Sequence, residues 1–414
     1  MRLVCVSSCG LDKEGRLNPF AKQERDWLCS HFERVSMVSF YGVCDLRAGD
    51  GDSYAPRRSG FASVRAWLVT PFSRDLWRAL TRLRGDGKLN AVNALKLFAF
   101  AKRGRKLHYW LEGLLAGESD ENATLYSFWM SYDAYAAALS KRKHPATRFV
   151  ARGHAFDVDV ERNPMNPYLM KDEIAKEADG LYPISEVARE QLMSYMRGRV
   201  DEGKVRALAM GSAGAPTPLQ EPPYLRDGVL RIVSCAMVIP IKQVALLAAA
   251  LADWAGCPVH WTHIGGGEGE AELRALAEEK LDRKDNVIYK LLGTLAPEEI
   301  EALYEQQPID LFVNTSRREG VPVSIMEAMR HGVPFVAPDV GGVGELARDG
   351  AGYLYAPEDG AAGVRAALAR YASFSPDGMR RMRQSAKARW DGHYQSTKLL
   401  GELFPQTQAK EGNE

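Results

Sequence analysis

The sequence contains no apolar stretch long enough to cross a membrane. A membrane-spanning helix needs about 20 consecutive apolar residues, and no segment of the 414 residues comes near that length without a charged side chain. The opening residues, MRLVCVSSCG, also lack the apolar core and the small-residue cleavage site of a signal peptide. We therefore expect a cytoplasmic protein.

Cysteine is scarce, and its spacing contains no metal-binding motif. The six cysteines form neither a CxxC pair nor a Cys/His ligand spacing. This pattern argues against structural zinc and against the disulfide framework of a secreted domain. We expect no metal and no cofactor.

Neither sign of charge is in large excess, but the charge is unevenly distributed. The formal net charge is +1, yet basic residues outnumber acidic ones in the first 200 positions and acidic ones prevail after them. Such asymmetry predicts that the first half of the chain faces something anionic. No recognisable nucleic-acid module accompanies the basic residues, so we do not expect a nucleic-acid partner.

Residues 77–110 are the most basic part of the first half, and aromatic side chains are interleaved with the basic ones. A basic, partly amphipathic helical stretch of this kind is typical of a peripheral contact with an anionic membrane surface, here the inner face of the cell membrane. The alternative is a solvated helix face that covers the core of the first domain. The aromatic residues are Trp77, Phe98, Phe100, Tyr109 and Trp110.

Strand-like and helical patterns alternate in both halves of the chain. This alternation predicts an α/β protein with two Rossmann-like, doubly wound parallel sheets. The Gly- and Pro-rich run at residues 211–224 is interpreted as the linker. We predict an N-terminal domain at residues 1–222, a C-terminal domain at 223–385, and a C-terminal helix at 386–405 that packs back toward the N-terminal domain. Ligands of such sheets bind beyond the carboxyl ends of the strands.

The segment REGVPVSIMEAMRHGVPFVAPDVGGVGE, residues 318–345, contains the clearest functional pattern. An apolar strand leads into a polar loop, and Pro322 is predicted at the first position of a short helix that stops at Gly332. Glu319 then lies in the loop and Glu327 about one turn into the helix. The free amides at the helix start suit a phosphate, and carboxylates suit sugar diols. Together these groups predict a nucleotide-sugar site.

The same segment carries a family resemblance. The E-x7-E arrangement of EGVPVSIME, followed by GVPFVAPDVGGVGE, resembles the signature of family four of the retaining glycosyltransferases, which have the GT-B fold of two Rossmann-like domains facing a central cleft. The resemblance implies that Glu319 contacts the transferred sugar and Glu327 the ribose of the donor. SCAMVIPIK and FVARGHAFD are similar to two further family segments, and imply that Lys242 reaches the donor diphosphate and His154 the donor sugar.

By the same resemblance the donor site includes the loop that carries Glu319 and the start of the helix after it. Two features of this sequence depart from the family pattern. Met237 stands where the family often has a second diphosphate-binding arginine, which Arg317 or Arg318 could replace, and the N-terminal double glycine is absent. Glu345 either touches the ligand or is only a first-turn partner of the helix dipole. The remaining candidate donor-binding residues are Gly320, Val321, Pro322, Val323, Ser324 and Ile325.

Each candidate also has a purely structural explanation. Lys242 could be a solvated lysine at a helix start, and His154 a hydrogen-bonded structural histidine. Asp157 to Asp159 form a DxD triplet, which holds a divalent metal in a different glycosyltransferase fold. We expect no metal here, because Lys242 and the helix start could already neutralise the leaving phosphate.

The expected activity is transfer of a sugar, with retention of configuration, from a nucleoside diphosphate sugar to a hydroxyl of a saccharide or lipid-linked acceptor. The resemblance to bacterial capsule and exopolysaccharide enzymes implies a role in the synthesis of cell-surface polysaccharide or glycolipid. Two alternatives stay open: a nucleotide-sugar epimerase of the same fold, and a non-catalytic subunit that binds nucleotide sugar, which the departure at Met237 would explain.

Overall fold

The computed structural model of the chain describes residues 1–49, 51–56, 60–116 and 123–410. The chain divides into two compact units. Unit 1 comprises Met1–Leu208 together with the chain from Leu400, and unit 2 comprises Ala209–Leu399. Each unit is built on one sheet with helices around it.

The sheet of unit 1 has seven strands in the order β4-β3-β2-β1-β5-β6-β7. The pairs from β2 through β1, β5 and β6 to β7 are parallel, as the alternating pattern predicts. Two short strands that the sequence analysis did not identify, β3 and β4, add an antiparallel edge. The strands are β1 Arg2–Val6, β2 Arg34–Val38, β3 Gly42–Leu46, β4 Ser53–Pro56, β5 Ala123–Ser127, β6 Arg148–Gly153 and β7 Gly180–Pro183.

The helices of unit 1 pack on this sheet through small residues and a large apolar core. Gly104 lets the helix Ala91–Leu115 approach the helix Tyr132–Lys143 closely, because a Cβ at this position would lie 2.5 Å from the Tyr135 ring. The helices are α1 Pro19–His31, α2 Gly60–Val69, α3 Arg74–Gly85, α4 Ala91–Leu115, α5 Tyr132–Lys143, α6 Ala155–Val158, α7 Lys171–Glu177 and α8 Glu186–Met196.

The sheet of unit 2 has six strands, all parallel, in the order β10-β9-β8-β11-β12-β13. The chain leaves β8 toward β9 on one side and later returns to β11 on the other side. The order therefore reverses at β8, and parallel sheets bind ligands at the carboxyl ends of the strands beside such a reversal. The strands are β8 Leu230–Cys235, β9 Val259–Ile264, β10 Val287–Leu291, β11 Leu311–Val313, β12 Phe335–Pro338 and β13 Gly352–Tyr355.

Nine helices in the described part of the chain follow or connect these strands. They are α9 Tyr224–Asp227, α10 Val244–Ala252, α11 Glu270–Leu281, α12 Pro297–Gln306, α13 Val323–Arg330, α14 Val343–Leu346, α15 Gly360–Ala372, α16 Pro376–His393 and α17 Ser396–Leu403. None of the helices in the described ranges is both long and apolar enough to span a bilayer.

Residues 209–224, which the composition predicts to be a linker, are part of unit 2. The buried Trp390 donates its indole N–H to Ser212 Oγ over 2.7 Å, and Thr217 Oγ1 donates to the Arg330 carbonyl over 2.8 Å. The predicted boundary between residues 222 and 223 therefore lies inside this unit. The Gly- and Pro-rich composition reflects a segment without periodic structure, whose polar groups nevertheless bond to the folded unit.

The C-terminal helix predicted at residues 386–405 is two helices, α16 and α17, with a break at Tyr394 and Gln395. The division between the units falls within α17, at Leu400. In unit 1 the Phe404 ring packs edge-on against Phe32 and Tyr126, with centroid distances of 5.3 and 5.4 Å. The end of the chain is therefore part of the core of unit 1.

Replacing Ser212 by Ala tests whether the predicted linker segment is folded. The substitution leaves the buried Trp390 indole N–H without an acceptor, which costs about 1–3 kcal/mol. We expect a matching loss in the free energy of unfolding, measured by urea denaturation. The exposed Ser373, replaced by Ala as the control, should change stability by less than about 0.5 kcal/mol. Equal effects of the two substitutions would contradict the folded placement of residues 209–224.

Candidate functional site

The loop after β11 and the start of α13 lie at the carboxyl edge of the unit 2 sheet, beside the strand-order reversal at β8. Asn314 follows β11 directly, and its side-chain oxygen accepts from the Ser316 amide over 2.8 Å, which turns the chain away from the strand. Pro322 is the N-cap of α13, and the first helical residue is Val323. The prediction that Pro322 is the first helical residue is therefore off by one position, because its ψ of 120° is extended rather than helical.

The start of α13 has no side-chain cap. Pro322 lacks a side-chain oxygen that could accept from the first amides, so the N–H groups of Val323, Ser324 and Ile325 are left for another acceptor. The Ile325 side chain is fully buried in the core of unit 2, and only its backbone can serve a ligand. An uncapped helix start of this kind attracts an anion through its amides and its dipole.

Lys242 and Glu319 form an ion pair across the edge of the sheet. Lys242 Nζ lies 2.7 Å from Glu319 Oε1, and the side chains keep only 24% and 9% of their surface exposed. Asn314 Nδ2 approaches the same carboxylate oxygen at 3.4 Å. The structure thus brings together two candidates that the sequence places 77 positions apart.

Two further bonds hold the loop after β8 against the loop after β11. Thr315 Oγ1 donates to the Lys242 carbonyl over 3.0 Å, and the Arg317 amide donates to the Ile241 carbonyl over 2.8 Å. These bonds hold the backbone of the two loops together, so that the side chains of Lys242 and Glu319 start close to each other. Asn314 and Thr315, both buried, are site residues that the sequence analysis missed; the polar run NTS directly after an apolar strand was the available signal.

The glycine turn after β12 supports the backbone of Glu319 and Gly320. Gly341 has a φ of 55°, and a Cβ there would lie 2.1 Å from the Glu319 carbonyl oxygen. The Gly342 amide donates to the Gly320 carbonyl over 2.8 Å. The positive φ and this close approach explain why position 341 needs glycine.

Glu327 lies at the same edge, near the end of β8. Its carboxyl is mostly buried and forms no hydrogen bond or ion pair with any residue that the structure describes, and burial raises its pKa to about 7. Burial, and after it the charge of Glu327, raises the pKa of Cys235, the last residue of β8. Burial is also the main cause of the raised pKa of Tyr304, to which Cys235 and Glu327 add. Glu327 thus faces these two side chains, while Glu319 faces Lys242.

Several other polar atoms in unit 2 are buried without a partner among the described residues. They include the Tyr304 hydroxyl, Ser316 Oγ and His263 Nε2. Burial lowers the pKa of His263 to about 4, and its Nδ1 lies 2.9 Å from Ser234 Oγ. Unpaired buried polar groups are rare in folded proteins and mark a site where a ligand or water completes the bonding. Among these atoms, the Tyr304 hydroxyl lies close enough to Glu327 for the carboxylate charge to act on it.

The remaining donor-site candidates are less closely connected to the ion pair. Arg317 and Arg318 are exposed and form no side-chain ion pair with the residues described. Glu345 lies in the short helix α14. Its backbone carbonyl accepts from Arg389 Nε over 2.8 Å and from the Tyr394 hydroxyl over 3.3 Å. These two bonds connect the backbone of Glu345 to Arg389 and Tyr394 near the end of α16.

Met237 is exposed in the loop after β8, and this loop packs against the glycine-rich turn after β9. The Val238 amide donates to the Gly266 carbonyl over 2.9 Å, and the Gly269 amide donates to the Val238 carbonyl over 3.0 Å. A Cβ at Gly265 would lie 1.9 Å from the Ala236 carbonyl oxygen. The segment HIGGGEGE therefore forms a tight turn between β9 and α11.

His154 belongs to unit 1, at the carboxyl end of β6. Its Nε2 lies 3.1 Å from the Phe128 carbonyl, to which it donates, and its ring packs on Trp129 with a centroid distance of 4.2 Å. Burial lowers the pKa of His154 to about 3. The imidazole is therefore neutral, and since Nε2 carries the proton, Nδ1 is an acceptor.

Asp157 of the DxD triplet is occupied by structural bonds. Its carboxylate accepts from the amides of His154 and Met130 over 3.1 and 3.2 Å, and burial raises its pKa to about 6. In the described ranges, no group of three His, Cys, Asp or Glu side chains is arranged to hold a metal ion. Asp157 thus fixes the backbone around His154.

The chain is similar to several known proteins. Residues 230–373 match the family Glycosyl transferases group 1. The amylovoran biosynthesis glycosyltransferase AmsK of Erwinia amylovora is 34% identical over 163 residues, which is 37% of this chain and only 39% of AmsK. The putative colanic acid biosynthesis glycosyltransferase WcaL of Escherichia coli strain K12 is 25% identical over 355 residues, covering 80% of this chain and 82% of WcaL.

Among solved structures, Anabaena Alr3699/HepE in complex with UDP and glucose matches 99% of this chain and 100% of its own, with a TM-score of 0.60 and 16% identity. At that identity the likeness concerns the fold, and it confirms the predicted GT-B architecture. The chain therefore has the GT-B fold, and its residues 230–373 match the glycosyl transferases group 1 family.

Proposed function

We propose that the protein is a retaining glycosyltransferase that moves a hexosyl group from a nucleoside diphosphate sugar to an acceptor hydroxyl. The observation that carries the proposal is the Lys242–Glu319 pair, 2.7 Å apart, beside the uncapped start of α13. A cation, free amides and carboxylates at one sheet edge match the anionic diphosphate and the neutral hydroxyls of such a donor.

The diphosphate is proposed to bind Lys242 and the amides of Val323, Ser324 and Ile325. Negative charge grows on the leaving diphosphate during transfer, and donors fixed in advance stabilise that charge best. Lys242 is held in place by the bonds that join the two loops. The exposed Arg317 and Arg318 would add the positive charge that Met237 does not supply.

The two carboxylates are proposed to bind hydroxyl groups on either side of the diphosphate. Glu319, already positioned by Gly341 and Gly342, would accept from the transferred sugar when Lys242 turns to the phosphate. Glu327 would accept from the ribose, which explains an otherwise unpaired, mostly buried carboxyl. A charged acceptor contributes about 1.5–3 kcal/mol per hydrogen bond.

Retention is proposed to follow from attack on the same face that the phosphate leaves. The bond from the anomeric carbon to the phosphate oxygen breaks, the acceptor oxygen bonds to that carbon, and the acceptor proton passes to the leaving phosphate. His154, neutral and with Nδ1 as acceptor, would contact the donor sugar from unit 1. The reaction is proposed to need no metal, because Lys242 and the α13 amides neutralise the leaving group.

The acceptor is proposed to be a saccharide or lipid-linked saccharide in the synthesis of cell-surface polysaccharide or glycolipid. AmsK and WcaL are named as glycosyltransferases of amylovoran and colanic acid biosynthesis, and the HepE structure contains UDP and glucose. Unit 1 would bind this acceptor and unit 2 the donor. Peripheral contact with the inner face of the cell membrane, expected at residues 77–110, remains part of the proposal, although Phe100 and Trp110 lie in the core of unit 1.

A thermal-shift screen of the full chain with UDP-, GDP- and ADP-sugars, with and without EDTA, tests the proposal. A donor at 100 times its Kd should stabilise the folded state by about 2.7 kcal/mol, unchanged by EDTA, and NMR of the product should show the donor's anomeric configuration. Stabilisation without transfer would indicate a non-catalytic subunit, and release of free nucleotide diphosphate without an acceptor would indicate an epimerase. Stabilisation by no nucleotide would overturn the donor site.

Replacing Lys242 by Met tests the role of the cation. Loss of one preorganised donor to the leaving group should lower kcat by about 10²–10³-fold, measured as nucleoside diphosphate release in the presence of acceptor. Lys280, exposed on α11, is the matched control and should give wild-type kcat when replaced by Met. Wild-type activity of Lys242→Met would remove this residue from the diphosphate site.

Glu327 predicts a pH dependence of donor affinity. Burial raises its pKa to about 7, and a hydroxyl donor binds the ionised carboxylate better than the protonated form. The Kd of UDP-glucose, measured by calorimetry, should therefore be constant above pH 8 and rise by up to about tenfold per unit as the pH falls below 7.

The variant Glu327→Gln cannot ionise, so it should bind weakly with a Kd that does not change between pH 6 and 8. Glu278→Gln, on the exposed face of α11, should keep the wild-type profile. A pH profile that survives in Glu327→Gln would assign the titration to another group.

A further inference from the structure

Helix α2 in unit 1 buries small residues and exposes its large apolar side chains. Its buried residues are the small Ala62 and Ala66, which are four positions apart and lie on one face. The large apolar side chains point the other way: Phe61 is 82% exposed and Trp67 60% exposed. A helix that only covers a core buries its large apolar residues, so the outward face of α2 has another use.

The exposed apolar surface continues beyond α2. Phe72, in the short turn between α2 and α3, is 85% exposed, and Trp77 on α3 is 60% exposed. The Trp77 indole N–H donates to the Pro71 carbonyl over 2.7 Å, which fixes the ring at the surface. We define the apolar face by the side chains Phe61, Val64, Trp67, Leu68, Phe72 and Trp77.

Such a concentration of exposed large apolar side chains is unusual within the described chain. Seven of the large apolar side chains that it exposes lie between Phe61 and Trp77, whereas single exposed apolar residues are normal on soluble proteins. A cluster of this kind, with two tryptophans, is typical of a surface that meets a partner.

Basic residues outnumber acidic ones in the stretch that carries the apolar face, although Arg78 and Arg82 pair with Glu173 and Asp172 over 3.3 and 2.9 Å. Asp75 does not offset this charge, because it is buried and paired with Arg142 over 2.8 Å. Asp86, the other acidic residue between Gly60 and Lys106, accepts from the Tyr168 hydroxyl over 2.8 Å. The basic residues of the same stretch are Arg65, Arg74, Arg78, Arg82, Arg84, Lys88, Lys96, Lys102, Arg103, Arg105 and Lys106.

We propose that the apolar face inserts into the surface of an anionic lipid bilayer. Phe and Trp side chains prefer the boundary between headgroups and acyl chains, and neighbouring arginines contact lipid phosphates. Arg74, exposed and without an ion-pair partner among the residues described, lies between Phe72 and Trp77. The inference assigns the membrane contact of the proposed function to a different surface, and it does not depend on the proposed reaction.

Charge also distinguishes the bilayer from a second copy of the chain. A symmetric dimer through this face would set the same basic residues against each other, and like charges at an interface are unfavourable. The surface differs from the one expected from the sequence at residues 77–110. It lies mainly N-terminal to that stretch, on α2 and the following turn, and shares Trp77 with it.

Flotation of the full chain with lipid vesicles tests the proposal. The chain should float with vesicles of phosphatidylcholine containing 30% phosphatidylglycerol, and less with phosphatidylcholine alone. The double substitution Phe61→Ser and Phe72→Ser should weaken partitioning by at least about tenfold, while its far-UV circular dichroism and melting temperature stay those of the wild type, because both rings are exposed. Ile288→Ser, at an exposed apolar residue of unit 2, is the matched control and should float normally.

Three results would overturn the proposal. The first is no flotation with either vesicle composition. The second is an equal loss for Ile288→Ser. The third is a dimer in sedimentation equilibrium that the double substitution dissociates, which would make the face a protein interface. Because the assay contains no nucleotide, its failure is distinguishable from failure of the proposed donor site.

Discussion

The arrangement at the carboxyl edge of the unit 2 sheet depends on the ion pair between Lys242 and Glu319. Its two side chains come from the loops after β8 and β11, and each loop is also bonded to the other through Thr315 and Arg317. A largely buried carboxylate is costly without a cation, and Lys242 offsets that cost for Glu319 while no ligand is bound. The same pair presents a cation and an acceptor to a diphosphate sugar, which offers each of them a replacement partner.

The two glutamates at this edge, Glu319 and Glu327, differ in how their charge is balanced. Glu319 is balanced by Lys242, whereas burial raises the pKa of Glu327 toward neutrality because no described residue balances it. A protein that retains such an unpaired carboxyl, with the Tyr304 hydroxyl also unpaired nearby, leaves room for an external hydrogen-bond donor. The proposed ribose contact supplies that donor, and it ties the affinity of the site to pH.

Local sequence patterns were sufficient to predict the strand, loop and helix around Glu319, because apolar runs and helix signals act over a few residues. They were insufficient where long-range packing decides. The Lys242–Glu319 contact joins positions 77 residues apart, the short strands β3 and β4 have no strong alternation, and residues 209–224 fold onto unit 2 through single hydrogen bonds. For α2 the composition is apolar, but only packing on small alanines reveals which face remains exposed.

A crystal structure of the chain with UDP tests the central claim most directly. The account predicts a diphosphate oxygen within about 2.7–3.2 Å of Lys242 Nζ and of an amide at the start of α13, with Glu327 on the ribose hydroxyls and Glu319 released from the lysine. UDP bound at another edge of the sheet, with the Lys242–Glu319 pair unchanged, would contradict it.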